Sequence, residues 1–195
     1  MAVGVIKASG AKEPFSPDKL KASLRKAAED VGVGVNGEVS VAPKSDVTSY
    51  ELSDLIELEL LRKSIERPDY AKVATSHLLG KIYKDVLGKE YLRRKSVERY
   101  AAGWREALKS LAELKLLKED APKVAEWIEL DPGFDRRLSY NALRLFTNGN
   151  YALRRPDGRL AETPAMAGAR VAAAVARSPG WARRYYELIA GLKFV

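Results

Sequence analysis

A stretch near the N-terminus is the feature that most constrains the fold of this chain. Val5–Lys7 can pair with Glu13–Phe15 across a turn at Ser9-Gly10, since glycine and serine favour turns between short apolar segments. Ser16 then precedes Pro17, which is the usual order of an N-cap residue and the first residue of a helix. The sequence therefore predicts a short β-hairpin that runs directly into a helix.

The helix that follows and the lysines around it indicate an anion-binding surface. Its apolar positions recur at helical spacing: Leu20, Leu24, Ala27, Ala28 and Val31. Lys7 and Lys19 flank the helix start, and backbone N–H groups together with two ammonium groups suit a polyphosphate. An ordinary hairpin and helix with solvated lysines is the alternative on these residues alone.

This stretch resembles the ATP-cone, a small nucleotide-sensing domain found mainly at the N-terminus of ribonucleotide reductases. The matching positions are Lys7, Gly10, Phe15, Ser16, Lys19 and Leu20. Ala8 departs from the pattern, because the family usually has an arginine there. The resemblance implies that ATP or dATP binds as an allosteric effector, accompanied by Mg²⁺.

The next part of the chain predicts one strand and two helices. Glu38–Ala42 alternates and predicts a third strand beside the hairpin. Thr48 and Glu51 have the spacing of a capping box, which predicts a helix from 49 to 66. A third helix is predicted to begin at Pro68-Asp69 and to end at Gly88, with His77 as a partly buried core residue.

The ATP-cone resemblance extends over these helices and assigns roles to further residues. It implies that Thr48 lies near the nucleotide, that Lys84 binds phosphate and that Glu13 contacts the nucleoside. Leu52 departs from some members, which have a polar residue there. The expected effector site is therefore Lys7, Glu13, Ser16, Lys19, Thr48 and Lys84. Without the resemblance, a plain N-cap and a surface lysine explain Thr48 and Lys84 equally well.

The second half of the sequence predicts a helical domain. Residues 90–117 have the pattern of a long helix, and Pro122–Leu130 predicts a short helix with Trp127 as a core anchor. Ala165–Ala176 is rich in small residues and predicts a tightly packed helix. We place the domain boundary at Gly88, which gives domains of residues 1–88 and 89–195.

A second resemblance covers the end of the chain. Tyr151–Arg154 and Leu160–Thr163 flank a turn at Pro156-Asp157-Gly158, and Thr163-Pro164 then begins a helix. This order resembles the helical N-terminal region of the large ribonucleotide reductase subunit. The expected fold is mainly α (α+β): an ATP-cone with a small antiparallel sheet and a helical bundle, then an all-helical domain with one short β-hairpin.

Composition limits the chemistry and the partners of the chain. It contains no Cys and only one His, so thiol chemistry and a multi-histidine metal site are excluded within these 195 residues. The net charge of +8 suits anionic partners. Arg93-Arg94-Lys95 is the only tight basic cluster, and since no nucleic-acid-binding motif accompanies it, nucleic acid is a less favoured partner. No signal peptide or membrane span is visible, and we expect a cytoplasmic location.

Two hypotheses follow for the function. In the first, the chain is the allosteric, ATP/dATP-sensing N-terminal part of a ribonucleotide reductase. It is expected to contain no catalytic residues, to be inactive alone and to act with a separate or missing catalytic barrel that docks on Tyr185–Val195. Adenosylcobalamin would belong only to that barrel, and a homo-oligomer is a further option. In the second, the chain is a free-standing ATP-cone regulatory protein, with nucleic acid as a candidate partner.

Overall fold

A computed structural model of the protein describes residues 3–7, 9–35, 39–117, 120–149 and 151–193. Their contacts divide the chain into two compact units, Met1–Gly80 and Lys81–Val195. The division falls inside a long helix, α3 (Asp69–Arg93). The domain boundary predicted at Gly88 lies further along this helix and stays a prediction.

The first unit combines a small sheet with helices. In chain order its elements are β1 (Gly4–Ile6), β2 (Lys12–Pro14), α1 (Pro17–Glu29), β3 (Val47–Thr48), α2 (Ser49–Lys63) and the beginning of α3. The predicted hairpin is confirmed, with both strands beginning and ending one residue earlier than predicted. Lys7 closes the turn of the hairpin: its N–H donates to the Ala11 carbonyl at 2.8 Å, and its carbonyl accepts from the Gly10 N–H at 2.9 Å.

The third strand lies elsewhere than predicted. Residues 39–42 form no strand, and Glu38 lies outside the described residues. The alternation there reflects the burial of Val39 alone, which is 5% exposed. β3 instead pairs with β1 in parallel, with Ile6 opposite Thr48, so the strand order is β2-β1-β3. The sheet is therefore mixed, and the prediction of a purely antiparallel sheet was wrong.

The helices of the first unit begin and pack largely as their sequences predict. Ser16 and Thr48 are the N-caps of α1 and α2. The core takes apolar side chains from β1 and the helices, among them Val5, Leu20, Leu24, Ala27, Ala28, Ile56, Leu60, Tyr70, Val73, Ala74 and Leu78. The apolar face predicted for α1 is thus buried up to Ala28, while Val31 lies beyond the helix end and is half-buried.

The second unit is helical. After the end of α3 it contains α4 (Val97–Glu113), α5 (Ala121–Ala125), α6 (Gly133–Arg137), α7 (Tyr140–Asn148), α8 (Pro164–Val175) and α9 (Pro179–Ala190). The predicted hairpin is reduced to a single antiparallel bridge between Arg154 and Leu160. The fold is mainly α with a small sheet, which confirms the predicted fold class.

The long helix predicted for residues 90–117 is divided between two elements. Gly88 has φ 78° and ψ 175°, so the backbone breaks there as predicted, but a further helical turn reaches Arg93. A new helix then begins after Ser96, whose Oγ accepts from the Arg99 N–H at 3.2 Å. Serine competes with the helical backbone for hydrogen bonds, and here it begins a separate helix.

Close packing of α8 against α9 forms much of the second core. Ala165, Ala169 and Ala172 are fully buried, as predicted for the small-residue helix. A Cβ added to Gly168 would lie 3.1 Å from Ile189 Cγ2, so a larger residue there would require the Ile189 side chain to shift by a few tenths of an ångström.

The prediction that Trp127 anchors the core of this unit was wrong. Trp127 is 56% exposed, because α5 ends before it and the neighbouring Ala125 and Ile128 are buried instead. On the last helix, Tyr185, Leu188 and Ile189 are half-buried. Ala182, Tyr186 and Ala190 are buried, and Leu192 is 54% exposed. Phe194 and Val195 lie outside the described residues.

The second unit also buries charged side chains. The Asp135 carboxylate is fully buried and accepts hydrogen bonds from the Tyr100 hydroxyl at 2.6 Å and the Ala165 N–H at 2.7 Å. The Glu162 carboxylate is fully buried too, and Arg170 donates to both of its oxygens at 2.8 Å. Since unpaired buried charges are costly, these contacts make each carboxylate compatible with the core. Over the described residues, no helix has the length and apolar character needed to cross a membrane.

Candidate functional site

Two of the predicted lysines converge on one carboxylate oxygen at the surface of the first unit. Lys19 Nζ lies 3.0 Å and Lys7 Nζ 3.3 Å from Glu13 Oε2. The three side chains are 72%, 36% and 45% exposed, in the order Lys19, Lys7 and Glu13. The hydrogen bond from Lys19, and then that from Lys7, lowers the pKa of the Glu13 carboxyl. We call these three residues the lysine pair and its carboxylate.

The local fold explains why these side chains meet. Glu13 is the middle residue of β2 and pairs with Val5 in β1. Lys7 directly follows β1, and Lys19 lies in the first turn of α1. The Lys19 N–H donates to the Ser16 Oγ at 3.3 Å while its ammonium group returns to Glu13. The hairpin and the helix start thus place both cations beside the same strand residue.

Thr48 lies on the other side of β1 and begins α2. Its Oγ1 accepts from the Glu51 N–H at 3.1 Å, and its own N–H donates to Glu51 Oε2 at 2.7 Å. The predicted capping box is therefore confirmed, and the Thr48 N–H lowers the pKa of the Glu51 carboxyl. Because Thr48 pairs with Ile6, the start of α2 lies next to the end of β1 from which Lys7 extends.

Strand direction separates the starts of the two helices. β2 runs antiparallel to β1 and ends opposite Gly4, whereas β3 runs parallel and ends opposite Ile6. α1 and α2 therefore begin towards opposite ends of β1, which is roughly 7 Å long at about 3.4 Å per residue. Lys7 and Thr48 both lie at the Ile6 end of β1. An anion bound at Lys7 would therefore lie beside the start of α2.

The remaining predicted positions fall outside this cluster. Lys84 is an exposed residue of α3 in the second unit, whereas the other five site residues belong to the first. Leu52 is half-buried in α2, and Ala8 lies outside the described residues. The first unit thus brings Lys7, Glu13 and Lys19 into direct contact, with Ser16 and Thr48 held nearby by capping and strand pairing.

Two known protein families match parts of this chain. Residues 3–85 match the ATP cone domain, and residues 136–195 match the all-alpha domain of ribonucleotide reductase. The order of the two matches is that of the N-terminal region of a ribonucleotide reductase large subunit, in which an ATP cone precedes a helical domain. The two matches support an allosteric regulatory region related to ribonucleotide reductase, and the match to the ATP cone implies binding of a nucleotide effector. A search of curated proteins gives no match.

Asp46 is a residue of the cone that the sequence analysis missed. Its Oδ1 accepts from the Gly4 N–H at 2.7 Å, and its Oδ2 accepts from Lys12 Nζ. The Lys12 ammonium, and then the Gly4 N–H, lowers the pKa of the Asp46 carboxyl. Since Asp46 directly precedes β3, it connects all three strands of the sheet. No local pattern in the sequence marks this role, because its partners lie far away along the chain.

Glu57 and His77 form a buried polar contact in the same unit. His77 Nδ1 lies 3.3 Å from Glu57 Oε1, and the Ser53 Oγ donates to the same oxygen at 3.2 Å. The His77 side chain is 9% exposed and that of Glu57 is fully buried. His77 is therefore a partly buried core residue, as predicted. Over the described residues, no cluster of three or more His, Asp or Glu side chains could hold a metal ion.

Proposed function

We propose that this chain senses ATP or dATP, bound with Mg²⁺ in the cone, and transmits the signal to a ribonucleotide reductase. The phosphates would lie at Lys7 and Lys19 beside the start of α2, with Lys84 as a further phosphate ligand. Glu13, Ser16 and Thr48 complete the proposed site. The observation that carries this proposal is the convergence of two ammonium groups on one carboxylate oxygen within a domain that matches the ATP cone.

The electrostatics of the cluster favour a phosphate ligand. Two positive charges share one negative charge, which leaves a local excess of one cation. Charge-assisted hydrogen bonds to phosphate contribute about 1.5–3 kcal/mol each. A nucleoside triphosphate offers enough oxygens to bind both ammonium groups at once. Exposed side chains of this kind are also accessible to a ligand that arrives from solution.

We further propose domains of residues 1–88 and 89–195, with reduction itself carried out by cysteines outside this sequence. The chain would then be inactive alone and dock a catalytic barrel through Tyr185–Val195. Trp181, 57% exposed, stacks near Tyr185 with a ring-centroid distance of 5.6 Å and would extend that surface. Exposed aromatic side chains often dominate interface energies. Any adenosylcobalamin would belong to the barrel, and a homo-oligomer and a cytoplasmic location also stay predictions.

Calorimetric titration with Mg·ATP and Mg·dATP tests the effector site. Lys7→Ala and Lys84→Ala should each weaken binding about tenfold or more, because each removes a charge-assisted contact. Lys72→Ala is the matched control, since it removes an exposed lysine of the first unit that pairs with Asp69 at 2.8 Å. Absence of binding by the wild-type chain, or an equal loss in the control, would contradict the proposal.

A mixing experiment tests the docking surface. A Cys-bearing catalytic fragment of a ribonucleotide reductase should form a complex with the chain, and removal of residues 185–195 should abolish it. Tyr185→Ala is a milder variant for the same surface. Leu145→Ala, which truncates a 60% exposed side chain on α7, is its control. Unchanged affinity after truncation would locate the docking surface elsewhere.

A further inference from the structure

Glu13 occupies the position that the proposed function assigns to phosphate. The ammonium groups of Lys7 and Lys19 both point at Glu13 Oε2. Among the described residues, neither lysine forms an ion pair with another carboxylate. A phosphate oxygen that binds both lysines would have to take a similar position. The Glu13 carboxylate and the phosphate carry charges of the same sign, so they cannot share this position without repulsion.

We propose that Glu13 is an internal competitor of the effector phosphates, which must displace its carboxylate from Lys7 and Lys19 before they bind. This inference rests on the proposed function and adds a mode of regulation to the same site. The displaced carboxylate stays beside the site, where it can make the contact with the nucleoside that the family resemblance implies. In the nucleotide-free cone the carboxylate holds the lysine pair together, and in the bound cone phosphate replaces it.

The surroundings of Glu13 allow such an exchange. Its side chain is 45% exposed, and among the described residues its ion pairs are with Lys7 and Lys19. Because the side chain is already partly in water, rotation about its torsions can move the carboxylate away from the lysines. Because both lysines lower the pKa of its carboxyl, Glu13 is ionised at neutral pH and competes at full charge.

The competition has a clear consequence for affinity. Exposed ion pairs are weak, so phosphate can displace the carboxylate, but each broken pair subtracts from the binding free energy. Replacing Glu13 by glutamine removes the negative charge and keeps the size and the amide oxygen of the side chain. The Glu13→Gln variant should bind phosphates more tightly, which is the opposite of the result expected when a ligand contact is lost.

Titrations with Mg·ATP and with inorganic tripolyphosphate, which lacks a nucleoside, test this inference. We expect Glu13→Gln to bind both ligands about two- to tenfold more tightly than the wild-type chain at low salt. The gain should shrink when the salt concentration shortens the Debye length to about 3 Å. Glu29→Gln is the matched control, because Glu29 is an exposed carboxylate of α1 that lies 3.6 Å from Arg25.

The outcomes separate this inference from the proposed function. If the wild-type chain binds ATP and Glu13→Gln binds it more weakly with no change for tripolyphosphate, Glu13 acts through the nucleoside alone and does not compete with phosphate, so the inference is wrong. Equal affinities of wild-type, Glu13→Gln and Glu29→Gln would overturn it as well. If none of the three chains binds ATP, the proposed function itself fails and the inference fails with it.

Discussion

The two units of this chain use charged side chains in opposite ways. In the first unit, Lys7, Glu13 and Lys19 form ion pairs whose members are all more than a third exposed. In the second, the carboxylates of Asp135 and Glu162 are fully buried and hydrogen-bonded. Charged groups are therefore exposed to water in one unit and buried in the core of the other.

This difference in burial separates binding from stability. Exposed ion pairs contribute little to folding because water and salt screen them, so they can be exchanged for a ligand at low cost. A buried pair is different, since removal of one partner leaves a charge in the core. We therefore expect substitutions in the lysine pair to change affinity and substitutions in the buried groups to change stability.

The largest expected effect on stability comes from Arg170. Arg170→Ala leaves the Glu162 carboxylate buried without its cation, which should lower the free energy of unfolding by about 3–5 kcal/mol. The Leu153 N–H, 2.9 Å from Glu162 Oε1, would remain as a weaker partner. Urea denaturation followed by circular dichroism measures this change.

Two further variants sharpen that result. Arg184→Ala removes an arginine from an exposed pair with Glu187 and should have little effect on unfolding. The double variant Glu162→Gln with Arg170→Met removes both charges together and should cost less than Arg170→Ala alone. Equal effects of Arg170→Ala and Arg184→Ala would show that burial does not distinguish the two pairs.

The next effect is a pH dependence caused by Asp135. Burial raises the pKa of its carboxyl to about 6. The hydrogen bonds from Tyr100 and Ala165 lower this pKa but only partly offset the effect of burial. The unfolded value is about 3.9, so between about pH 4 and pH 6 the native state binds the proton more tightly. The free energy of unfolding should therefore fall as pH rises across this window, by about 3 kcal/mol for this residue.

The Asp135→Asn variant isolates this contribution. Asparagine does not titrate, and its oxygen can still accept from the Ala165 N–H while its amide group faces Tyr100 and Thr163. Urea denaturation at several pH values should show that the wild-type chain loses stability between pH 4 and pH 6 relative to the variant. Parallel pH profiles for the two chains would contradict a raised pKa for Asp135.

The smallest stability effect compares one helix cap from each unit. Thr48 Oγ1 and Ser139 Oγ accept from backbone N–H groups at 3.1 and 3.2 Å, and both side chains are N-caps. Thr48→Ala and Ser139→Ala should each lower the free energy of unfolding by about 1 kcal/mol. Only Thr48→Ala should also weaken ATP binding in a calorimetric titration. Equal ATP affinities for the two variants would show that Thr48 caps α2 but does not contribute to nucleotide binding.

The sequence predicts well those features that depend on neighbouring residues. Ser16, Thr48 and Thr163 were identified as caps because a cap needs only its own side chain and the next turn of backbone. The hairpin before α1 was identified for the same reason, since its turn and both strands lie close together in the chain. The meeting of Lys7 and Lys19 followed from that hairpin and the helix start.

Features that depend on distant residues were missed. The position of β3 is set by its pairing with β1 and by the bond from Gly4 to Asp46, neither of which leaves a local pattern. The exposure of Trp127 could not be predicted from its apolar character, because it depends on where α5 ends.

Hydrogen–deuterium exchange of the whole chain, with and without saturating Mg·ATP, tests most directly whether the nucleotide binds to the exposed charges of the first unit. We predict slower exchange on ATP binding for the backbone of residues 4–20 and 47–51, which carry the lysine pair, its carboxylate and the start of α2. Residues 139–175, which include the buried Glu162–Arg170 pair, should exchange at unchanged rates. Protection confined to residues 139–175, or no protection anywhere in the first unit, would contradict a nucleotide site in the cone.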